Sequence, residues 1–190
     1  MKRIHPLFLL VAAVLPGLIA GAWGESDTEG QGGAMPATQK IVPFLWFDDD
    51  AEEAIRFYSS IFPDSKVLSE TRMGPKGPLM SARFRLAGQE FMALNGGPMH
   101  SFTEAISMFV SCGSQEEVDG LWAKLTADGG EPGRCGWLKD KYGLSWQVIP
   151  TALGEMLEDK DPAKAKRVAE AMMKMGKIDI RRLRQAYEGR

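Results

Sequence analysis

The chain is short of the residues that usually do chemistry at metal and redox sites. It has two histidines and two cysteines in 190 residues, and one histidine, His5, falls in an N-terminal stretch that reads as removable. Only His100 remains, so a site built from two histidines and a carboxylate is excluded within one copy of the chain. The cysteines, Cys112 and Cys135, both sit in extended-looking segments. They are expected as free thiols acting as small apolar residues, although an oxidising compartment would permit a disulfide between them. Long runs of one charge are missing too. With 23 basic and 25 acidic residues and no basic cluster, nothing draws the chain to nucleic acid. A glycine-rich turn from a strand into a helix, the usual cradle for a dinucleotide or S-adenosylmethionine, is also missing. Asn95-Gly96-Gly97-Pro98 follows a strand but runs into a loop.

A long hydrophobic run occurs once, at the start. Lys2 and Arg3 precede LFLLVAAVLPGLIA, 14 residues without a charge, and Ala22 and Gly24 then offer small residues just before Glu25. That is a charged region, an apolar region and a small-residue cleavage site. The run is shorter than the roughly 20 residues a membrane span needs, and Pro16-Gly17 breaks it. Residues 1–24 are therefore expected to be a signal peptide, and the mature protein to be exported, periplasmic or secreted, and off the membrane. Cleavage removes Lys2 and Arg3 and no acid, which takes the net charge from −2 to −4. Residues 25–39, ESDTEGQGGAMPATQ, are polar, rich in glycine and aperiodic, a flexible linker.

What is present from residue 40 onward is a repeat. IVPFLWF (41–47) reads as a strand. DDDAEEAIRFYSSIF reads as a helix, with Asp50 at the N-cap and Glu52 and Glu53 opposing the macrodipole. Extended pieces follow near 65–73, 79–86 and 90–94. The second half has the same order: a strand at 105–111, a helix capped by Ser114, and extended pieces near 131–135, 136–139 and 144–149. A shift of 64 lays Asp50 on Ser114, and a shift of 55 lays Gly88 on Gly143. Each half is a βαβββ unit that cannot cover both faces of its own sheet, which is the physical reason to pair two. In the last piece, the turn Asp140-Lys141-Tyr142-Gly143 precedes a strand whose alternation puts Gln147 on the face opposite Trp146.

Tandem βαβββ units with such a turn resemble the vicinal oxygen chelate superfamily of glyoxalases, extradiol dioxygenases and bleomycin-resistance proteins. PFLWFD…AEEA…FY (43–58), FMALNGGP (91–98), QEEVD (115–119) and CGWLKDKYGLSWQVIP (135–150) look like its PhnB-like branch, often labelled demethylubiquinone methyltransferase. The resemblance implies an α+β fold in which residues 40–150 form two modules making a cupped mixed sheet. It also implies metal-ligand positions on the first and last strands of each module, the last-strand ones four residues after the turn glycine. Here those are Met92 and Gln147, and the first strands carry no carboxylate or imidazole. No metal and no cofactor are therefore expected.

That leaves an apolar cup with few polar groups, the composition of a small-molecule site. The candidate lining is Phe44, Trp46, Met92, Met108, Trp137 and Gln147, with Asn95 and His100 at the mouth. Any one of the aromatics can equally be plain core, and Gln147 can equally be a satisfied core amide. The expected function is metal-free binding of a small organic ligand. The alternative is an enzyme of unknown reaction using His100, although no motif places a second titratable group beside it. Residues 151–190 read as a helical C-terminal extension. One helix starts at Asp161-Pro162 and carries Ala165, Val168, Met172 and Met175 at helical spacing; another starts at Asp179. The stripe is either a packing appendage or a surface for a second copy, and a homodimer is expected.

If the N-terminal reading is right, mass spectrometry of protein from the native host will find a chain beginning near Glu25. A mature chain still starting at Met1 would refute export by this route.

Overall fold

The computed structural model describes residues 39–190, so the signal peptide and nearly all of the linker lie outside the described residues. The first module runs β1 (Phe44–Phe47), α1 (Ala51–Ile61), β2 (Lys66–Arg72), β3 (Leu79–Leu86) and β4 (Gln89–Asn95). The second runs β5 (Met108–Cys112), α2 (Gln115–Leu125), β6 (Glu131–Pro132), β7 (Trp137–Lys139) and β8 (Ser145–Pro150). Their sheets have the same strand order, β1-β4-β3-β2 and β5-β8-β7-β6. In each, the first strand pairs parallel with the last and the other pairings are antiparallel. This is the α+β tandem βαβββ architecture, resolved as two four-stranded mixed sheets.

The turns explain the register. Gly88 and Gly143, matched by the repeat, both take left-handed backbone, φ 87° and 83°, which glycine adopts without a Cβ clash. Ser114 caps α2 as its sequence indicates, its hydroxyl accepting from Glu117 N–H at 3.2 Å. The cap of α1 differs from expectation. Asp50 stands at the N-cap position but makes no side-chain cap bond; the first free N–H, on Ala51, is instead taken by Asn95 Oδ1 at 2.8 Å. A residue at the end of β4 therefore closes the helix, something local sequence cannot announce.

One apolar core joins the modules, and the turn 140–143 is where they meet. Asp140, 3% exposed, accepts four hydrogen bonds. Tyr58 Oη on α1 and Trp146 Nε1 donate to Oδ2, both at 2.8 Å; the N–H groups of Tyr142 and Leu144 donate to Oδ1 at 2.9 and 3.0 Å. Burial pushes this carboxyl upward from its ordinary range, while the bonds from Trp146, Tyr58 and the two backbone groups pull it back. Around it Phe62 stacks on Trp146 with ring centroids 5.2 Å apart. Glu53 of α1 accepts from Lys141 at 2.7 Å and from Tyr142 Oη at 3.0 Å.

The chain ends in α3 (Thr151–Leu157), α4 (Pro162–Met172) and α5 (Ile180–Glu188). The apolar stripe of the extension is used inside the chain. Val168, Met175, Ile178 and Leu183 are buried together with Leu153 and Met156, and Ile149 of β8 packs against them. Cys135 and Gly136 donate their N–H groups to the carbonyls of Met175 and Gly176 at 2.9 and 2.8 Å. Gly136 has φ 84°, and a Cβ there would press on Ile149 and on the Val148 carbonyl. Both cysteines are free; burial pushes the Cys112 thiol up to about 11, so it stays protonated at neutral pH.

Replacing Asp140 with alanine strands four donors, two of them side chains deep in the core, and is expected to cost at least ~3 kcal/mol in chemical denaturation. Tyr58→Phe, which leaves the carboxylate three donors, should cost only ~1–2 kcal/mol. An Asp140→Ala stability within about 1 kcal/mol of wild type would show that the aromatic contacts alone hold the modules.

Candidate functional site

The first sheet has one face packed on the core and one face without a helix over it; in the second, the face opposite the core is covered by the C-terminal helices at its Ile149 end. In the first, Leu45, Phe47, Ala82, Phe84, Phe91 and Ala93 point to the core and are buried. The alternate residues form the open face. Pairing sets them in rows across the strands: Phe44 beside Met92 beside Arg83, and Trp46 beside Leu94 beside Ser81. In the second sheet the corresponding row is Phe109, Gln147 and Trp137. Register therefore makes Phe44 equivalent to Phe109, Met92 to Gln147, and Arg83 to Trp137. The leading phenylalanines are 51% and 60% exposed, on the edge strand of each sheet.

Gln147 is half-buried on this open face, and its Nε2 donates to Ser107 Oγ at 2.8 Å. Two places earlier on the same face, Ser145 is buried with its hydroxyl unpartnered among the described residues. Trp137, opposite Gln147, is half-buried. In the first module Trp46 donates from Nε1 to Gly97 O at 2.8 Å, and exposed His100 meets its ring edge-on at 4.8 Å between centroids. Gly96 is needed here, because a Cβ would overlap the Trp46 ring. The Asn-Gly-Gly-Pro stretch thus serves to seat a tryptophan.

Two of the residues expected in the cup are used elsewhere. Met108 pairs with Trp146 and packs on the core side of β5. The strand begins three residues later than its composition suggested, so alternation turns Phe109, not Met108, to the open face. Asn95 has no free amide at a mouth: its Oδ1 caps α1 and its Nδ2 donates to Leu79 O at 2.9 Å. The remaining candidates divide between the sheets, with Phe44, Trp46, Met92 and His100 on the first and Trp137 and Gln147 on the second.

One polar cluster on the first open face was not anticipated. Glu90, 7% exposed, pairs directly with Arg85 across the strands. Its Oε1 accepts from Arg85 Nη2 at 2.6 Å, and its Oε2 from Arg83 Nη2 at 2.6 Å and Nε at 3.0 Å. Arg85 foremost, with Arg83, holds the Glu90 carboxyl below the usual carboxylate range against a smaller opposing effect of burial. A signal for it existed in the sequence. Arg83-Phe84-Arg85 alternates charge with core on a strand, and Glu90 follows across the Ala87-Gly88 turn.

These groups do not suit a metal. The register-paired positions of the two first and last strands hold Phe44, Met92, Phe109 and Gln147, a set with one hard donor. Glu90 is already engaged by two guanidinium groups. Among the described residues no three His, Cys, Asp or Glu side chains are gathered where they could hold an ion.

The model of a family described as 3-demethylubiquinone-9 3-methyltransferase matches residues 39–149, both modules and none of α3–α5. Among solved structures, the chain is similar to a Bacillus cereus PhnB protein described in the same terms. Their identity is 39% and TM-score 0.54, over 60% of this chain and 100% of that one. A Pseudomonas aeruginosa protein aligns at 21% identity and TM-score 0.50, over 60% of this chain and 98% of its own, which shows the shared fold. No curated protein matches the chain.

Proposed function

The chain belongs to the 3-demethylubiquinone-9 3-methyltransferase family, the PhnB-like group with the vicinal oxygen chelate fold, and on that footing we propose that it is an exported protein that binds a small organic ligand without a metal. The observation that carries this reading is the repeated open face. In both modules a half-buried tryptophan, an exposed phenylalanine and a last-strand side chain, Met92 or Gln147, lie on the sheet face opposite the core, which has no helix over it in the first module and is covered by the C-terminal helices at its Ile149 end in the second. Apolar surface with a few placed polar groups is what small-molecule sites offer.

The methyltransferase in the family's description is not part of this proposal. Asn95-Gly96-Gly97-Pro98 is committed to seating Trp46 and capping α1, and it does not lead from a strand into a helix. An acid–base enzyme finds no support either, since His100 is exposed and packs edge-on to Trp46.

A homodimer belongs to the same proposal on a revised basis. The C-terminal stripe is consumed by its own chain, so the argument passes to Ile41 and Ile106, both more than half exposed beside the two edge strands. A second copy would cover them.

The binding reading is tested by incubating the protein with a metabolite extract and identifying retained compounds by mass spectrometry, for wild type and Gln147→Leu. Ser107 can turn to water, so the variant should melt close to wild type and lose affinity for a ligand held by the second sheet by roughly 1–3 kcal/mol. A large fall in melting temperature with unchanged retention would remove Gln147 from the site, and an empty wild-type protein would remove the function. Light scattering at micromolar concentration should give twice the monomer mass; a monomer throughout would contradict the dimer.

A further inference from the structure

The two open faces share one backbone plan but differ in charge, and the difference points to a ligand class. Register equates Arg85 with Lys139 and Glu90 with Ser145, as it equates Arg83 with Trp137. The second module builds the same strands with no carboxylate at the Glu90 position and no guanidinium at the other two. The fold therefore does not require the Glu90–Arg83–Arg85 cluster.

The cluster also has cationic capacity left over. One carboxylate faces two guanidinium groups, and exposed Lys66 extends the row beside Arg85. The side chain of Glu90 is 10% exposed and those of Arg83 and Arg85 are 26% and 25% exposed, so the acid is the most deeply buried of the three and each arginine keeps part of its surface open to solvent. Nη1 of Arg83, and Nε and Nη1 of Arg85, have no partner among the described residues. Asp64 also rims the open hollow beside Lys66 and Arg85. With it counted, three cations meet two acids and the corner stays positive. Along the same row as Arg83 come Met92 and Phe44. Strands lie about 4.8 Å apart, so the phenyl ring's strand is about 10 Å from the guanidinium's.

From this we propose that the open face of the first module binds a compact organic carboxylate. Its acid group is taken by the remaining donors of Arg83 and Arg85, and its apolar body lies over Met92, Phe44 and Trp46. Glu90 is a positioning residue: it fixes both guanidinium planes before the ligand arrives, which lowers the ordering cost of a bidentate contact. The proposal rests on the binding function above and adds the ligand's chemistry and its place.

The test titrates nitrogen-15-labelled protein with 1-naphthaleneacetate and, separately, with 1-naphthaleneacetamide, its neutral analogue, following backbone amides and the tryptophan indoles. The acid is expected to shift Arg83, Arg85, Met92 and the Trp46 indole. It should bind on the order of tenfold or more tightly than the amide, as charge-assisted bonds allow. Arg83→Gln with Arg85→Gln should bring the two probes level. Because that double variant leaves Glu90 buried and unpaired, Glu90→Gln is the second arm. It removes one guanidinium acceptor while sparing both arginines, so the acid should still be preferred but by a smaller factor as the guanidinium planes loosen; an undiminished preference would overturn the positioning role of Glu90, and a cluster that only holds the strands together would show no preference to preserve. Equal binding of both probes on this face would overturn the carboxylate while leaving the binding function intact. Shifts confined to Phe109, Trp137 and Gln147 would overturn the location, again sparing that function. No shift by either probe would overturn the inference and count against the binding reading as well.

Discussion

The relative placement of the two modules depends on one carboxylate. Asp140 takes a donor from α1 of the first module and three from its own, at distances of 2.8–3.0 Å. Its burial is a cost that the four bonds offset, so its contribution is direction rather than bulk stability. Stacked rings such as Phe62 and Trp146 tolerate sliding; a hydrogen bond from Tyr58 to a buried oxygen does not. The turn that carries Asp140 is thus both the hairpin of the second sheet and the fixture that orients the first. The open faces are positioned by it indirectly, because each sheet's core side is pinned before its other side can meet anything.

Duplication gave this chain two copies of one surface, and the copies have moved apart in chemistry. Phenylalanine is kept at the edge strand of both. Beyond it, the first face turns cationic through Arg83, Arg85 and Lys66, while the second offers an amide and an indole at Gln147 and Trp137. The comparison is informative because the backbone is held constant: a difference in side chains at equivalent register positions cannot be a demand of the strand itself.

The architecture was legible in the sequence because it is written locally. Period-two alternation marked β8, the repeated order of elements placed the other strands, Gly88 and Gly143 marked the matching turns, and Ser114 announced a helix start. Failures came where the deciding partner is distant. Asp50 looked like the cap of α1, yet the bond comes from Asn95, 44 positions away. Met108 looked like cup lining because the start of β5 is set by pairing with β8, and one step of register exchanges faces. The helix α3 was missed because its seven residues are too few to show a period. The Glu90 cluster is written in the sequence only as an alternating Arg-Phe-Arg, and the carboxylate it meets is chosen by the β3–β4 register.

The C-terminal extension bears on how the chain can be made. Translation delivers residues in order, and the family unit is finished at residue 149. At that point the N–H groups of Cys135 and Gly136 still await the carbonyls of Met175 and Gly176. The amide of Gln115, which opens α2, still awaits Ile178 and Ile180. Ile149 still awaits its apolar cover. The second module therefore leaves synthesis with open bonds on one flank, which close only once residues 175–180 have emerged. Residues 175–180 act as a clasp on a unit that the family model spans without them.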